Sequence, residues 1–183
     1  MVTSVIEFEN NLWQGADQLS ASSNLSAQEC FLPIMGLFFL RYAGSKFSRM
    51  EANLQAQGPE RNGRRRRAVP KIEYWARGLT YIPEEARFQR LFQLPAGANL
   101  GQSINEAMEA IERENPALRD ALPKTYNRFN HHALATLLKG FDGVLMTIDE
   151  DDFDRIYEYV LGNFAAGDGQ RGGQFSTSNS NLR

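Results

Sequence analysis

"LGQSINEAMEAIERENPAL", residues Leu100–Leu118, decides the fold class. Leu100, Ile104, Met108 and Ile111 recur at intervals of four, four and three, which gathers them on one face of a helix. Asn115–Pro116 ends the pattern, because proline has no N–H to donate and biases the residue before it toward extended backbone. Nowhere in the 183 residues does a period of two persist, so the rest of the chain is read with the same helical period.

Upstream, Pro83 followed by Glu84 and Glu85 predicts a helix start, since proline suits the first turn and acids complement its dipole. Phe88, Leu91 and Phe92 should form the inner face of that helix, and Pro95 should end it. Ser26 with Glu29 makes a capping box that opens a longer helix running through "CFLPIMGLFFL" toward Gln57. Pro33 falls inside it and must either kink that helix or delay its start. Leu37, Phe38, Leu40 and Phe47 give it a broad buried face. A first helix begins near Ser4, boxed with Glu7, and carries Phe8, Leu12, Ala16 and Leu19; "SASSNLS" then breaks the pattern. Downstream, shorter periodic segments predict helices near His132–Phe141 and over Asp151–Ala165, the latter closed by Gly167.

Between the second helix and "IEYWARGLTYIP" lies "QGPERNGRRRRAVPK" (Gln57–Lys71), which has five arginines, two glycines and two prolines. It cannot build a core and is expected to be a mobile loop. The predicted architecture is therefore an all-α helical bundle of six or seven helices, with a disordered basic loop and a Gly-rich C-terminal tail.

The net charge of −2 conceals a split. Residues 41–77 hold ten Lys/Arg against three Glu, a net +7, whereas residues 101–160 hold twelve acids against six bases, a net −6. Such asymmetry suits either a basic binding face or a solvated polar segment. Arginine forks match phosphate geometry, so Arg61, Arg64, Arg65, Arg66, Arg67 and Lys71 are the candidate DNA-binding residues. Tyr74, Trp75 and Tyr81 follow closely and either stack on a ligand or pack. If the loop lies along a duplex, the acids of residues 101–160 should face away from it.

Other chemistry finds no support. The single cysteine, Cys30, allows no internal disulfide and sits in an apolar run as a small buried hydrophobe. That run is too short for a membrane span, and the N-terminus has no basic region of a signal peptide, so a soluble cytoplasmic protein is expected. "DEDDFD" (Asp149–Asp154) lacks the glycine and distal Glu of a calcium loop and reads as the acidic first turn of the last helix. His131 and His132 are adjacent and diverge on a helix, which rules out a metal shared between them. No nucleophile elbow, no GxGxxG following a strand and no Walker loop is present, so no residue is assigned a catalytic role.

Taken together, "LWQGADQL", "LPIMGLFFLRYAGSKF", "YIPEEARFQRL", "LGQSINEAMEAIERENPAL" and "FDRIYEYVLGNFA" resemble, in order, the start of the modification (DNA-methyltransferase) subunit of type I restriction–modification systems. The likeness runs from about Asn11 to Phe175. It implies a helical N-terminal domain (1–166) and a junction (167–183) to an α/β methyltransferase domain absent from this chain. Gly173, Gln174, Phe175 and Thr177 match the family's "G-x-F-Y-T-P"-like segment, with Ser176 in place of an aromatic and Ser178 in place of the proline. By this resemblance Gln174, Phe175, Ser176, Thr177, Ser178 and Asn179 would touch S-adenosylmethionine in a full-length subunit. The Gly-rich cofactor loop and the "N-P-P-F/Y" motif do not occur, so the chain alone is expected to lack methyltransferase activity and to bind no cofactor. The implied partners are double-stranded DNA, the specificity subunit, a second modification subunit and the restriction subunit. The implied role is duplex clamping and subunit docking for adenine-N6 methylation. The competing reading is a free-standing helical adaptor that binds proteins only.

Overall fold

A computed structural model describes residues 2–57 and 69–145, together with Arg155. Among these the architecture is all-α, as the period of Leu100–Leu118 predicts. Six helices are present: α1 (Val2–Ala21), α2 (Ala27–Gln57), α3 (Lys71–Trp75), α4 (Phe88–Phe92), α5 (Leu100–Glu114) and α6 (His131–Leu145). Three single 3-10 turns, Glu84–Ala86, Pro116–Leu118 and Tyr126–Arg128, connect them. The segments expected over Gly58–Ala68 and Asp151–Ala165, and the tail from Gly167, lie outside the described residues apart from Arg155.

The capping box forms as the sequence predicts. The backbone N–H of Ser26 donates to Glu29 Oε2 at 2.8 Å, and the N–H of Glu29 donates back to Ser26 Oγ at 3.3 Å. The Ser26 N–H, with the Ser26 hydroxyl that donates to the same oxygen at 2.9 Å, holds the Glu29 carboxyl below its usual range. A depressed carboxylate contributes its stability above the unfolded pKa and loses it as pH falls through the folded one. Ser26→Ala should therefore cost about 1 kcal/mol in denaturant unfolding at neutral pH, and less in acid.

Because the box starts α2 at Ala27, Pro33 does not delay the helix; it lies inside it. The carbonyl it leaves without an N–H partner is that of Glu29, an exposed residue within reach of water. From Cys30 to Phe47 nearly every side chain of α2 is buried, on all sides rather than along one stripe. α2 is thus the central helix: α1, α4 and α6 pack on it, while α5 packs on α4, α6 and all three 3-10 turns. Leu100, Ile104, Met108 and Ile111 are all buried, and Asn99 caps α5 by accepting from the N–H of Gln102 at 3.1 Å.

One expected helix is divided. Glu84–Ala86 is a 3-10 turn, Arg87 is extended (φ −66°, ψ 129°), and α4 begins afresh at Phe88. Arg87 Nη2 reaches Glu51 Oε1 on α2 at 3.0 Å, and its guanidinium lies 5.5 Å from the Phe47 ring centroid. These interactions, with residues 36 and 40 positions earlier, hold the break open. In consequence Phe88 and Leu91 are buried but Phe92 is 44% exposed, so it does not belong to the inner face.

Candidate nucleic-acid interface

The basic segment is bounded by the end of α2 at Gln57 and the start of α3 at Lys71. Arg61, Arg64, Arg65, Arg66 and Arg67 lie outside the described residues; Lys71, the last cation of the run, lies within them. Proline sets the entry: Pro70 is the extended residue before α3, with φ −61°. The exit needs glycine. Leu79 N–H donates to Tyr74 C=O at 3.1 Å and Gly78 N–H to Trp75 C=O at 2.9 Å, the bond pair of a Schellman closure. It puts Gly78 at φ +69°, where a side chain would be strained.

The aromatic residues of this stretch divide by role. Tyr74 is buried and stacks on Phe47 of α2 at 4.7 Å, with Tyr81 edge-on to both rings. Those two tyrosines pack. Trp75 and Ile72 instead face outward, 41% and 61% exposed, three residues apart on one side of α3. Trp75 does not swing freely: its Nε1–H donates to Asn115 Oδ1 at 3.2 Å. It borders a shallow groove of about 380 Å³ completed by Leu79, Thr80, Pro116, Ala117 and Leu118.

Asn115 joins the parts. Its side chain is buried, and it receives the N–H of Tyr81 at 2.8 Å while donating to the carbonyls of Tyr81 at 2.8 Å and Ile111 at 2.7 Å. With Trp75, all four of its bonding positions are used. The sequence marks Asn115 as a helix stop and nothing more; no local pattern betrays a bracket to residues 34 and 40 positions away.

Charges in the described part are mostly matched. Arg77 pairs with Glu73 at 2.7 Å, and Arg41 lies 4.9 Å from the Phe88 ring centroid. Glu112, buried in α5, accepts from Leu122 N–H at 2.8 Å and pairs with Lys124 at 2.6 Å. Lys71 pairs with Glu114, which raises the Lys71 pKa, and its ammonium lies 5.2 Å from the Tyr81 ring centroid. The acidic stretch therefore does not turn wholly away from the basic one: at Glu114 it touches Lys71.

The candidates for metal and cofactor chemistry are dispersed. His131 and His132 are both exposed at the start of α6, and among the described residues no three potential ligands converge on a metal site. Cys30 is buried, which pushes its thiol pKa up. Two concavities among the described residues, the Trp75 groove and one of about 210 Å³ beside Phe92, Leu100 and Leu138, have no carboxylate among their lining residues. Gln174, Phe175, Ser176, Thr177, Ser178 and Asn179 lie outside the described residues. No described helix is long and apolar enough to cross a membrane.

Comparison with known proteins agrees with the resemblance. The family model described as the HsdM N-terminal domain matches residues 8–141. The type I restriction enzyme MjaIX methylase subunit of Methanocaldococcus jannaschii is 29% identical over 189 aligned residues, covering 95% of this chain. The match covers 34% of that protein, so the chain spans about a third of the length of this relative.

Proposed function

Because this chain belongs to the HsdM N-terminal domain family, we propose that it grips duplex DNA for a type I adenine-N6 methyltransferase. In that role it also docks the specificity subunit, a second modification subunit and the restriction subunit. Residues 1–166 act as the helical unit, and 167–183 lead toward the methyltransferase domain. Methylating an adenine inside a duplex requires the base to leave the stack, which demands that the flanking duplex be held. Phosphate contacts can supply that grip without reading sequence.

One observation carries the reading. The arginine segment is flanked by the end of α2, where Glu51 and Leu54 are half-buried, and by α3, which is fastened to α5 through Trp75 and Asn115. With ten Lys/Arg against three Glu over residues 41–77, this stretch offers a phosphate backbone the cations it needs. S-adenosylmethionine would belong to the full-length enzyme, with Gln174–Asn179 contributing to its pocket.

Titration of a fluorescent duplex at several salt concentrations tests the proposal. With three to five phosphates neutralised, the logarithmic salt slope should be roughly −3 to −4.5, from about −0.9 per phosphate. Replacing Arg64–Arg67 together by alanine should flatten the slope by about 0.9 for each phosphate no longer neutralised, while leaving the helical signal intact. An unchanged slope would mean that the arginines are only solvated. No binding at low salt would favour a protein-only adaptor, for which exposed Ile72 and Trp75 offer a contact face.

A further inference from the structure

Lys71 and Glu114 are 43 residues apart in sequence, yet the structure joins them where the basic segment meets α3. Lys71 closes the cationic run, four positions after Arg67. Its ammonium donates to Glu114 Oε2, with the lysine side chain 45% and the glutamate 23% exposed. Arg113, the neighbouring cation on α5, is engaged elsewhere, by Glu85 at 3.0 Å.

Glu114 is also a poor choice on grounds of helix stability alone. It is the last residue of a 15-residue helix. The carbonyl end of a helix repels a carboxylate and favours a cation. Lys71 relieves that repulsion, so each member of the pair occupies the other's charge.

We infer that Glu114 acts as a built-in limit on duplex affinity, withholding Lys71 from phosphate. The inference rests on the DNA-binding reading above. To contact a phosphate, Lys71 must first give up the Glu114 carboxylate, which offsets the gain from counterion release. In the native protein, then, the salt slope reports the arginines, and Lys71 adds little to it. Neutralising Glu114 hands Lys71 to the DNA. One more neutralised phosphate should steepen the slope by about 0.9. The affinity lost between roughly 50 and 200 mM salt should then grow by about 3.5-fold.

Removing a carboxylate also raises the local potential whether or not Lys71 is present, so a single variant does not isolate the pair. Four proteins do: the native chain, Lys71→Ala, Glu114→Gln and the double variant, each titrated with the same fluorescent duplex over that salt range. Lys71→Ala alone should leave the slope nearly unchanged. Glu114→Gln should steepen it, and the double variant should return it to the native value. Glu114→Ala should repeat the Gln result, which guards against a residual amide contact with Lys71. A native slope in both Glu114 variants overturns the limit, as does a gain that survives in the double variant. If the native chain binds and the four-arginine variant does not, the DNA reading stands whichever way Glu114 falls. If neither the native chain nor any Glu114 variant binds at low salt, both ideas are overturned.

Discussion

Gly101→Ala is expected to destabilise the protein by about 2–3 kcal/mol, although helix propensity alone would favour it by up to about 1 kcal/mol. Gly101 sits in the first turn of α5, where the chain of the Tyr126–Arg128 turn crosses directly over it. An added Cβ would lie 2.4 Å from the Tyr126 carbonyl oxygen and 2.9 Å from Asn127 Cα. These are backbone atoms and cannot rotate aside. Tyr126 is itself fixed, fully buried, with its N–H donating to Asn105 Oδ1 at 3.0 Å and its hydroxyl to the Pro33 carbonyl at 2.7 Å. Relief would have to come from parting α5, α2 and the turn together. In a thermal melt the loss should appear as a fall of roughly 5–10 °C. Gly140→Ala in α6 is the control: a Cβ there meets nothing within 4 Å, so the variant should gain up to about 1 kcal/mol. Equal responses from the two glycines would contradict the packing described.

The second large effect is expected at Asn115. Asn115→Ala removes four hydrogen bonds at once and leaves both backbone groups of Tyr81 without their partners. Unpaired buried polar groups cost about 1–3 kcal/mol each, and Tyr81 is only partly buried, so a total of about 2–4 kcal/mol is expected in denaturant unfolding. Asn115→Asp should fare no better, since a carboxylate in place of the amide would face the carbonyls of Tyr81 and Ile111. Trp75 supplies an independent readout: once its indole N–H loses Asn115, its fluorescence should shift toward that of a solvated tryptophan. A variant as stable as the native chain, with unaltered emission, would show that Asn115 does not bracket α3 to α5.

Neither position announces its weight in the sequence. Gly101 stands there only as part of a helical pattern, and Asn115 only as its end. Lys71 is legible as a cation adjoining the arginines, but its carboxylate partner lies on another helix and leaves no local sign.

Spacings of three and four carry most of what is legible in the chain. The period of Leu100, Ile104, Met108 and Ile111 defines α5, and the Ser26–Glu29 box defines the start of α2, because those residues interact within one helical turn. The all-α class and the family follow from such local patterns in order. Long-range packing settles the rest. The extended break at Arg87 is held by Glu51 and Phe47, on a different helix. Pro33 lies within α2 rather than before it, beside a tyrosine 93 positions later whose hydroxyl meets its carbonyl. Lys71 meets Glu114 because Asn115 and Trp75 draw α3 to the end of α5. A hydrogen bond or ion pair acts over a few ångströms of space, and only the packed chain brings together residues tens of positions apart.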